Sequence, residues 1–311
     1  MPRRLVTGAA GFAGQHLLRE LRQTPGALVG WYRPGVPPPP TAPIDVEWHA
    51  VDLRDARDVA AALDACAPTA IYHLAGAANQ GASWADTDVA LELNAFVTHR
   101  LLQNVARQCP DARVLVTTSA VVYAPSTEAL DEESPLRPTS PYGVSKLAQE
   151  LVARRAAAEG LHVVVARPFN HIGPGQDPAY FAPSFARQLA RIEAGLDPPV
   201  LHVGNLDAAR DLSDVRDVVR AYRLLLDAGA PGVVVNVCRG EAFIVGDLLQ
   251  ALVRRCRVAV DIQVDSARLR PSDTPRLLGD RTMLTALTGW TPAIPMDQTL
   301  ENILDEQRRQ A

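Results

Sequence analysis

The stretch RRLVTGAAGFAGQHLLRELRQ, residues 3–23, decides the fold. Arg3 to Gly8 is a short run with Leu, Val and Thr at its centre, which reads as a strand. Gly14 to Gln23 sets Leu17, Leu18 and Leu21 at helical spacing, which reads as an amphipathic helix. Between the two lies Gly8-Ala-Ala-Gly11-Phe12-Ala13-Gly14. Glycines in such a turn let the backbone approach a pyrophosphate, and the helix N-terminus offers it free N–H groups and a partial positive charge. Three spaced glycines are common in ordinary turns. The strand before and the helix after give these their meaning.

Outward from this unit the same alternation continues. ALVGWY (27–32) reads as a strand, DARDVAAALDAC (55–66) as a helix and TAIYHLAG (69–76) as a strand. VALELNAFVTHRLLQNVARQC (89–109) reads as one long helix, followed by RVLVTTSAVVY (113–123) as a strand. SPYGVSKLAQELVARRAAAEG (140–160) is a helix and LHVVVARP (161–168) a strand. Short apolar strands alternating with helices imply a parallel sheet covered on both faces, with ligands at the carboxyl ends of its strands. The predicted class is α/β: a Rossmann-type doubly wound parallel sheet with a smaller α/β substrate-binding domain. After Pro168 the pattern loosens into loops such as HIGPGQDP (171–178) and GLDPP (195–199), and GVVVNVC (232–238) reads as a strand rejoining the main sheet. The predicted domains are therefore interleaved, residues 1–168 with 211–238 binding the cofactor, and residues 169–210 with 239–311 binding the substrate. VPPPPTAP (Val36 to Pro43) reads as a stiff polyproline-like connector, or as a ligand for a proline-binding partner.

Composition narrows the functions. Hydrophobic residues make up 47% and charged residues 21% of the 311, as in a globular chain. A net charge of -4 without a basic run gives no electrostatic footprint for nucleic acid. Phosphate contacts must then come from a few placed groups. Cys66, Cys109, Cys238 and Cys256 form no C-x-x-C pair, so neither zinc nor a disulfide framework is predicted. The N-terminal apolar run is broken by glycines, and no apolar stretch is long enough to span a bilayer. A cytoplasmic protein without metal or membrane partner is expected.

Two further places carry chemistry. Where ALVGWY ends, a dinucleotide site selective for NAD carries an acid for the ribose 2′-hydroxyl. This chain has Trp31, Tyr32 and Arg33 there. An arginine can pair with a 2′-phosphate, so Arg33 points to NADP(H), unless it is only a solvated surface residue. Tyr142-Gly-Val-Ser-Lys146 places a phenol and an ammonium on one helix face. A nearby ammonium and a positively charged nicotinamide both favour the phenolate, so Lys146 and the cofactor together are expected to lower the Tyr142 pKa and ready it for proton exchange. Thr117-Thr-Ser119 ends a predicted strand, where a hydroxyl could orient the same oxygen. A chance helix pair would look the same as Tyr142 and Lys146, but not with the glycine turn and Ser119 beside it.

With these residues in view, the chain resembles the extended short-chain dehydrogenases over almost its whole length. The G-x-x-G-x-x-G spacing agrees with that family. SPYGVSK, RPFNHIGPGQ (167–176), VGNLDAARDLSDVRDV (203–218) and LRPSDTPRLLGD (269–280) resemble its branch of GDP-mannose 4,6-dehydratases and GDP-4-keto-6-deoxy-sugar reductases. The resemblance implies Ser119, Tyr142 and Lys146 as the catalytic triad. Around the cofactor it implies Gly8, Gly11, Phe12, Ala13, Gly14, Arg33, Asp52 and Leu53 at the adenosine and pyrophosphate. Leu74, Ala75 and Gly76, after His73 in the run to Ala77, would follow, with Thr117 and Pro168 near the nicotinamide. For the GDP-sugar it implies Ser83 near the sugar, Asn170, Arg210 and Arg270 on the diphosphate, Ser272 beside them and Asp273 on the ribose. His171 is read as shaping its loop. A homodimer through four helices, two from each subunit, is implied as well.

One departure selects among the branch's activities. The dehydratases carry a glutamate two residues after the triad hydroxyl, and this chain has Val121 there. Glu128, Glu132 and Glu133 follow in a predicted loop. Ketone reduction needs no such carboxylate. The resemblance therefore implies an NADPH-dependent reductase of the C4 ketone of a GDP-4-keto-6-deoxy-hexose. A GDP-sugar C4-epimerase with tightly held cofactor, or another NDP-sugar epimerase or dehydratase, is the alternative. A non-catalytic NADP-sensing protein is the reading from another class, and the intact triad argues against it.

Overall fold

The structure, a computed structural model, describes residues 2–39, 42–43, 45–78, 80–265 and 275–311. Its first half runs β1 (Arg3–Thr7), α1 (Phe12–Leu21), β2 (Ala27–Tyr32), β3 (Glu47–Ala50), α2 (Ala56–Cys66) and β4 (Ala70–His73). Next come α3 (Gln80–Ala85), α4 (Thr87–Leu91), a π-helical turn (Glu92–Phe96), α5 (Val97–Gln108) and β5 (Arg113–Thr117). A 3-10 turn (Ala120–Val122), α6 (Pro141–Ala158) and β6 (His162–Pro168) complete it. The second half holds β7 (Asn170–Ile172), α7 (Phe181–Glu193), β8 (Val200–Val203), β9 (Ala209–Asp214), α8 (Val215–Ala228) and β10 (Val234–Val237). It ends with β11 (Ala242–Ile244), α9 (Val245–Val253), β12 (Asp261–Val264), β13 (Arg276–Leu277), α10 (Thr282–Thr288) and α11 (Met296–Gln310).

Seven strands pair in the order β10-β6-β5-β4-β1-β2-β3, and every pair is parallel. Side chains alternate faces along a strand, so a sheet buried on both sides needs unbroken apolar runs. Val114 and Val116 face a core built with α2, α5 and α6, while Leu115 between them faces the core of α1 and α8. The order reverses beside β1, which opens a crevice at the carboxyl ends of β1 and β4.

A third core joins α7, α9 and α11 over β8. β9 pairs with β7, β11 and β13 in a separate small sheet, and β12 pairs with β8. The chain therefore lies in the small sheet as far as Asp214, returns to the large sheet through α8 and β10, and sends α10 back against α8. Among the described residues no helix is long and apolar enough to cross a membrane, and no three His, Cys, Asp or Glu side chains could hold a metal ion.

Two elements differ from the sequence expectation. The long helix over 89–109 is divided by the π turn, which carries the fully buried Asn94. Its Oδ1 accepts from the Ala77 N–H at 3.0 Å and its Nδ2 donates to Ser145 Oγ at 2.8 Å. An extra residue in a helical turn commonly marks such a specialised contact. The predicted strand through Tyr123 ends at Thr117 instead, because Ser119 caps the 3-10 turn, its Oγ accepting from Val121 N at 3.4 Å.

Candidate active site

A cavity of about 1420 Å³ opens at the carboxyl ends of the central strands and continues beneath α7 and β9. The turn after β1 forms its floor. Gly8 has φ +68°, and a Cβ there would come within 2.8 Å of Ala75 N. At Gly14 a Cβ would lie 2.3 Å from Gly8 O, so only glycine lets α1 start this close to β1. Gly11, the N-cap of α1, offers no side chain to cap the first turn, and Phe12, Ala13 and Gly14 line the cavity. First-turn N–H groups of that kind are a ready anion site.

Every residue expected at the cofactor lines this one cavity, from Gly8 to Pro168 and including Arg33, Asp52, Leu53, Leu74, Ala75, Gly76 and Thr117. The buried indole N–H of Trp31, also on its wall, has no acceptor among the described residues. Arg54 joins Arg33 at this end, its guanidinium gripping Asp52 at 3.0 and 2.8 Å.

Ser119, Tyr142, Lys146, Asn170 and Arg210 also line the cavity. Ser83 does not, being packed into α3 at 3% exposure. Arg270, Ser272 and Asp273 lie outside the described residues. The helix α6, which carries Tyr142 and Lys146, is capped by Ser140, whose Oγ accepts from Gly143 N at 3.1 Å, with Pro141 in its first turn. One turn later, Lys146 Nζ lies 5.9 Å from the centre of the Tyr142 ring and donates to Thr117 O at 3.2 Å and Gln149 Oε1 at 2.9 Å.

The ionisation of this pair differs from the expectation. Burial raises the Tyr142 pKa, the Tyr180 phenol adds to the rise, and the Ser119 hydroxyl opposes it. Burial alone pushes Lys146 down to about 7. Lys146 does not draw the phenol toward phenolate, because desolvation outweighs a neighbour whose own charge burial disfavours. Tyr142 is thus held in its protonated form.

Val121 presents an aliphatic side chain to the same space. Of the described acidic residues lining the cavity, Asp52 is held by Arg54, Glu92 by Arg100, and Asp177 accepts from Ala179 N. Glu132 lies elsewhere, its Oε1 accepting from Asn236 N at 2.8 Å. His171 stacks on Phe12 at 5.9 Å between ring centres and 10° between planes, with Nδ1 3.2 Å from Phe169 O.

Several lining residues escaped the sequence reading. Tyr180 sits in an aperiodic loop and donates to Ala78 O at 3.3 Å, and Arg54 stands two residues beyond Asp52. A plain signal for Lys146 was also available. Of the 31 Lys and Arg residues, thirty are arginine and Lys146 is the sole lysine.

Residues 4–238 match the NAD dependent epimerase/dehydratase family. The chain belongs to that family. Within it, the chain is 37% identical to the GDP-6-deoxy-D-mannose reductase of Pseudomonas aeruginosa over 98% of this chain and 96% of that one. The solved structure of RMD from Pseudomonas aeruginosa complexed with NADPH superposes with a TM-score of 0.86 at 33% identity, covering 99% and 100% of the two chains. A UDP-glucose 4-epimerase from Thermus thermophilus in complex with NAD superposes with a TM-score of 0.87 at 28% identity, covering 98% and 99%. The epimerase/dehydratase family thus accounts for the seven-stranded parallel sheet and the cavity at its carboxyl edge.

Proposed function

We propose that this chain is an NADPH-dependent reductase of the C4 ketone of a GDP-4-keto-6-deoxy-hexose. GDP-4-keto-6-deoxy-D-mannose is the proposed substrate, and GDP-D-rhamnose or GDP-6-deoxy-D-talose the product. The carrying observation is an intact Ser119–Tyr142–Lys146 set beside the aliphatic Val121. Similarity to a GDP-6-deoxy-D-mannose reductase supports the same reading.

The cavity suits the cofactor. Gly8 and Gly14 let the turn close tightly on Ala75 and on its own backbone, the first turn of α1 lacks a side-chain cap, and no carboxylate ends β2. Gly11 to Gly14 would hold the pyrophosphate, Arg33 the 2′-phosphate, and Pro168 would pack by the nicotinamide. NADPH, when bound, supplies the hydride for C4. Tyr142 donates its proton to the developing alkoxide, and Ser119 orients the same oxygen. Lys146 holds the nicotinamide ribose. Asn170 and Arg210 hold the substrate diphosphate, a task suited to the planar guanidinium. Dehydration would need a base at C5 and an acid at the C6 hydroxyl, and Val121 can be neither.

Stoichiometric NADPH oxidation is therefore expected with GDP-4-keto-6-deoxy-mannose, and no change in GDP-mannose alone. Product NMR decides both. Formation of a 4-keto product from GDP-mannose at a useful rate would overturn the reductase reading. Preference for the dTDP-linked ketone would remove the GDP assignment. Likeness to a UDP-glucose 4-epimerase favours a second reading, a GDP-sugar C4-epimerase, and turnover without added NADPH would mark it.

Arg33→Ala tests the cofactor. Losing one charge-assisted contact costs about 1.5–3 kcal/mol, so NADPH affinity should fall about 10–100-fold. NADH affinity should barely move. Equal kcat/KM for the two cofactors in the wild type would refute the assignment.

A homodimer completes the proposal. Val89 and Phe96 on α4 and the π turn, and Val144 and Leu151 on α6, are large apolar side chains left 47–55% exposed on the helices that this pairing would use. Light scattering at micromolar concentration should give twice the 33.5 kDa of one chain, and a monomer mass would refute the pairing.

A further inference from the structure

Behind Lys146 runs a line of polar side chains, Gln149, Thr98, His73 and Thr7, each fully buried. Lys146 Nζ donates to Gln149 Oε1 at 2.9 Å, and Gln149 Nε2 donates to Thr98 Oγ1 at 2.9 Å. His73 Nε2 lies 2.8 Å from Thr98 Oγ1, and His73 Nδ1 lies 2.8 Å from Thr7 Oγ1. The residues come from β1, β4, α5 and α6, so the line exists only in the assembled fold.

Counting protons along it leaves one arrangement. Thr98 has a single hydroxyl proton, and its Oγ1 lies 2.6 Å from Asn94 O, a carbonyl that can only accept. That proton is therefore spent on Asn94. Thr98 Oγ1 must then accept from both Gln149 Nε2 and His73 Nε2. His73 thus carries its proton on Nε2, leaving Nδ1 to accept from the Thr7 hydroxyl. Thr7 Oγ1 in turn accepts from Ala75 N at 3.3 Å. A charged imidazole would break the link to Thr7, and burial, helped by the charge of Lys146, keeps the ring neutral with a pKa of about 3.

With Thr98 filled, the Gln149 amide has one orientation. Its NH2 faces Thr98 and its oxygen faces Lys146. We infer that Gln149 is a positioning residue for Lys146, oriented by the Thr7–His73–Thr98 chain so that its amide oxygen holds the ammonium in place and in its charged form. The inference takes from the proposed function only that Lys146 belongs to the catalytic set. Among the described residues Tyr142, whose pKa is raised, and His73, whose pKa is lowered, border Lys146 and are neutral at pH 7, while the Glu150 carboxylate one turn further along α6 is spent on Arg167. The charge on Lys146 is then a balance between burial and two neutral acceptors, Thr117 O and Gln149 Oε1. Near pH 7 such a balance turns on a single acceptor.

The chain's composition provides the test. Because Lys146 is the sole lysine, the full-length protein grown with ε-13C-lysine gives one lysine side-chain resonance. Its titration midpoint is read in wild type, Q149L and Q149E. Removing the acceptor in Q149L should lower the midpoint by about one pKa unit or more, and the carboxylate of Q149E should raise it. The alkaline limb of the kcat/KM profile should move in the same two directions. Midpoints that stay at the wild-type value, or move the same way in both variants, would overturn the inference. If Q149L does not fold, Q149E and one measurement on the wild type decide it. Long-range 1H–15N correlations should show His73 protonated at Nε2, and an Nδ1–H tautomer would refute the chain. None of these spectra depends on turnover. Shifted midpoints in a protein that reduces no GDP-linked ketone would sink the proposed function alone, and fixed midpoints in an active reductase would sink this inference alone.

Discussion

Tyr142→Phe is expected to lower kcat by about 10²–10⁴-fold, the usual loss for a missing general acid, with NADPH affinity almost unchanged. The substitution removes one hydroxyl and keeps the ring that packs on α6. In the structure that hydroxyl is desolvated and held protonated, with Ser119 beside it and Lys146 one turn away. Its protonated state sets the sign of the pH dependence. A proton donor works below its pKa, and burial has moved that pKa upward, so Tyr142 itself should not limit the rate at or below pH 7. The acid that titrates nearest neutrality is Lys146, near 7 in the protein alone, and its charge is lost as pH rises. Falling activity on the alkaline side should therefore follow Lys146 before Tyr142. Pre-steady-state NADPH oxidation separates the chemical step from product release. Hydride transfer in the Phe variant within a few-fold of wild type would show that the proton comes from another group.

The parts of this site that were legible in the sequence are local. The glycine turn can be read because Gly8, Gly11 and Gly14 act within one strand–turn–helix unit. Tyr142 and Lys146 can be read because i and i+4 on a helix share a face whatever the rest of the chain does. Arrangements made by distant segments were not legible. Gln149 looks like any surface-compatible helix residue until β1, β4 and α5 meet beneath it. The π turn at Asn94 is invisible to a period of 3.6, which is why 89–109 read as one helix. Ser83 is the converse case, a position carried over from the family that is buried in α3 and is not among the side chains lining the cavity. The inversion of the Tyr142 pKa was hidden for a related reason. Spacing reveals that a lysine is near, but only the packed fold reveals that both groups are desolvated.

One contact that the sequence did not announce should dominate stability. Arg167 and Glu150 form a two-pronged ion pair at 2.6 and 2.8 Å, with side chains 2% and 0% exposed. Arg167 also donates to Tyr123 Oη at 2.6 Å and to Glu132 O at 3.1 Å. An arginine has no lone pair to offer, so the Tyr123 proton goes to Asn236 Oδ1 at 2.7 Å. The network joins β6 and β10 to α6 one turn beyond Lys146, directly before Pro168. Glu150→Ala would strand a guanidinium where water cannot reach it. Breaking one side of such a pair costs about 3–5 kcal/mol. In a chain of this size that corresponds to a melting temperature lower by about 10 °C. A double variant, Glu150→Leu with Arg167→Met, removes both charges and keeps the volume. It should recover much of the loss, because two paired buried charges contribute little net stability over apolar side chains. Differential scanning fluorimetry of both variants makes the comparison. If Glu150→Ala melts within about 2 °C of wild type, the acceptors Tyr123 Oη and Glu132 O suffice for Arg167, and the carboxylate is not what holds α6 to β6. If the double variant melts as low as the single one, the loss comes from packing and not from a stranded charge.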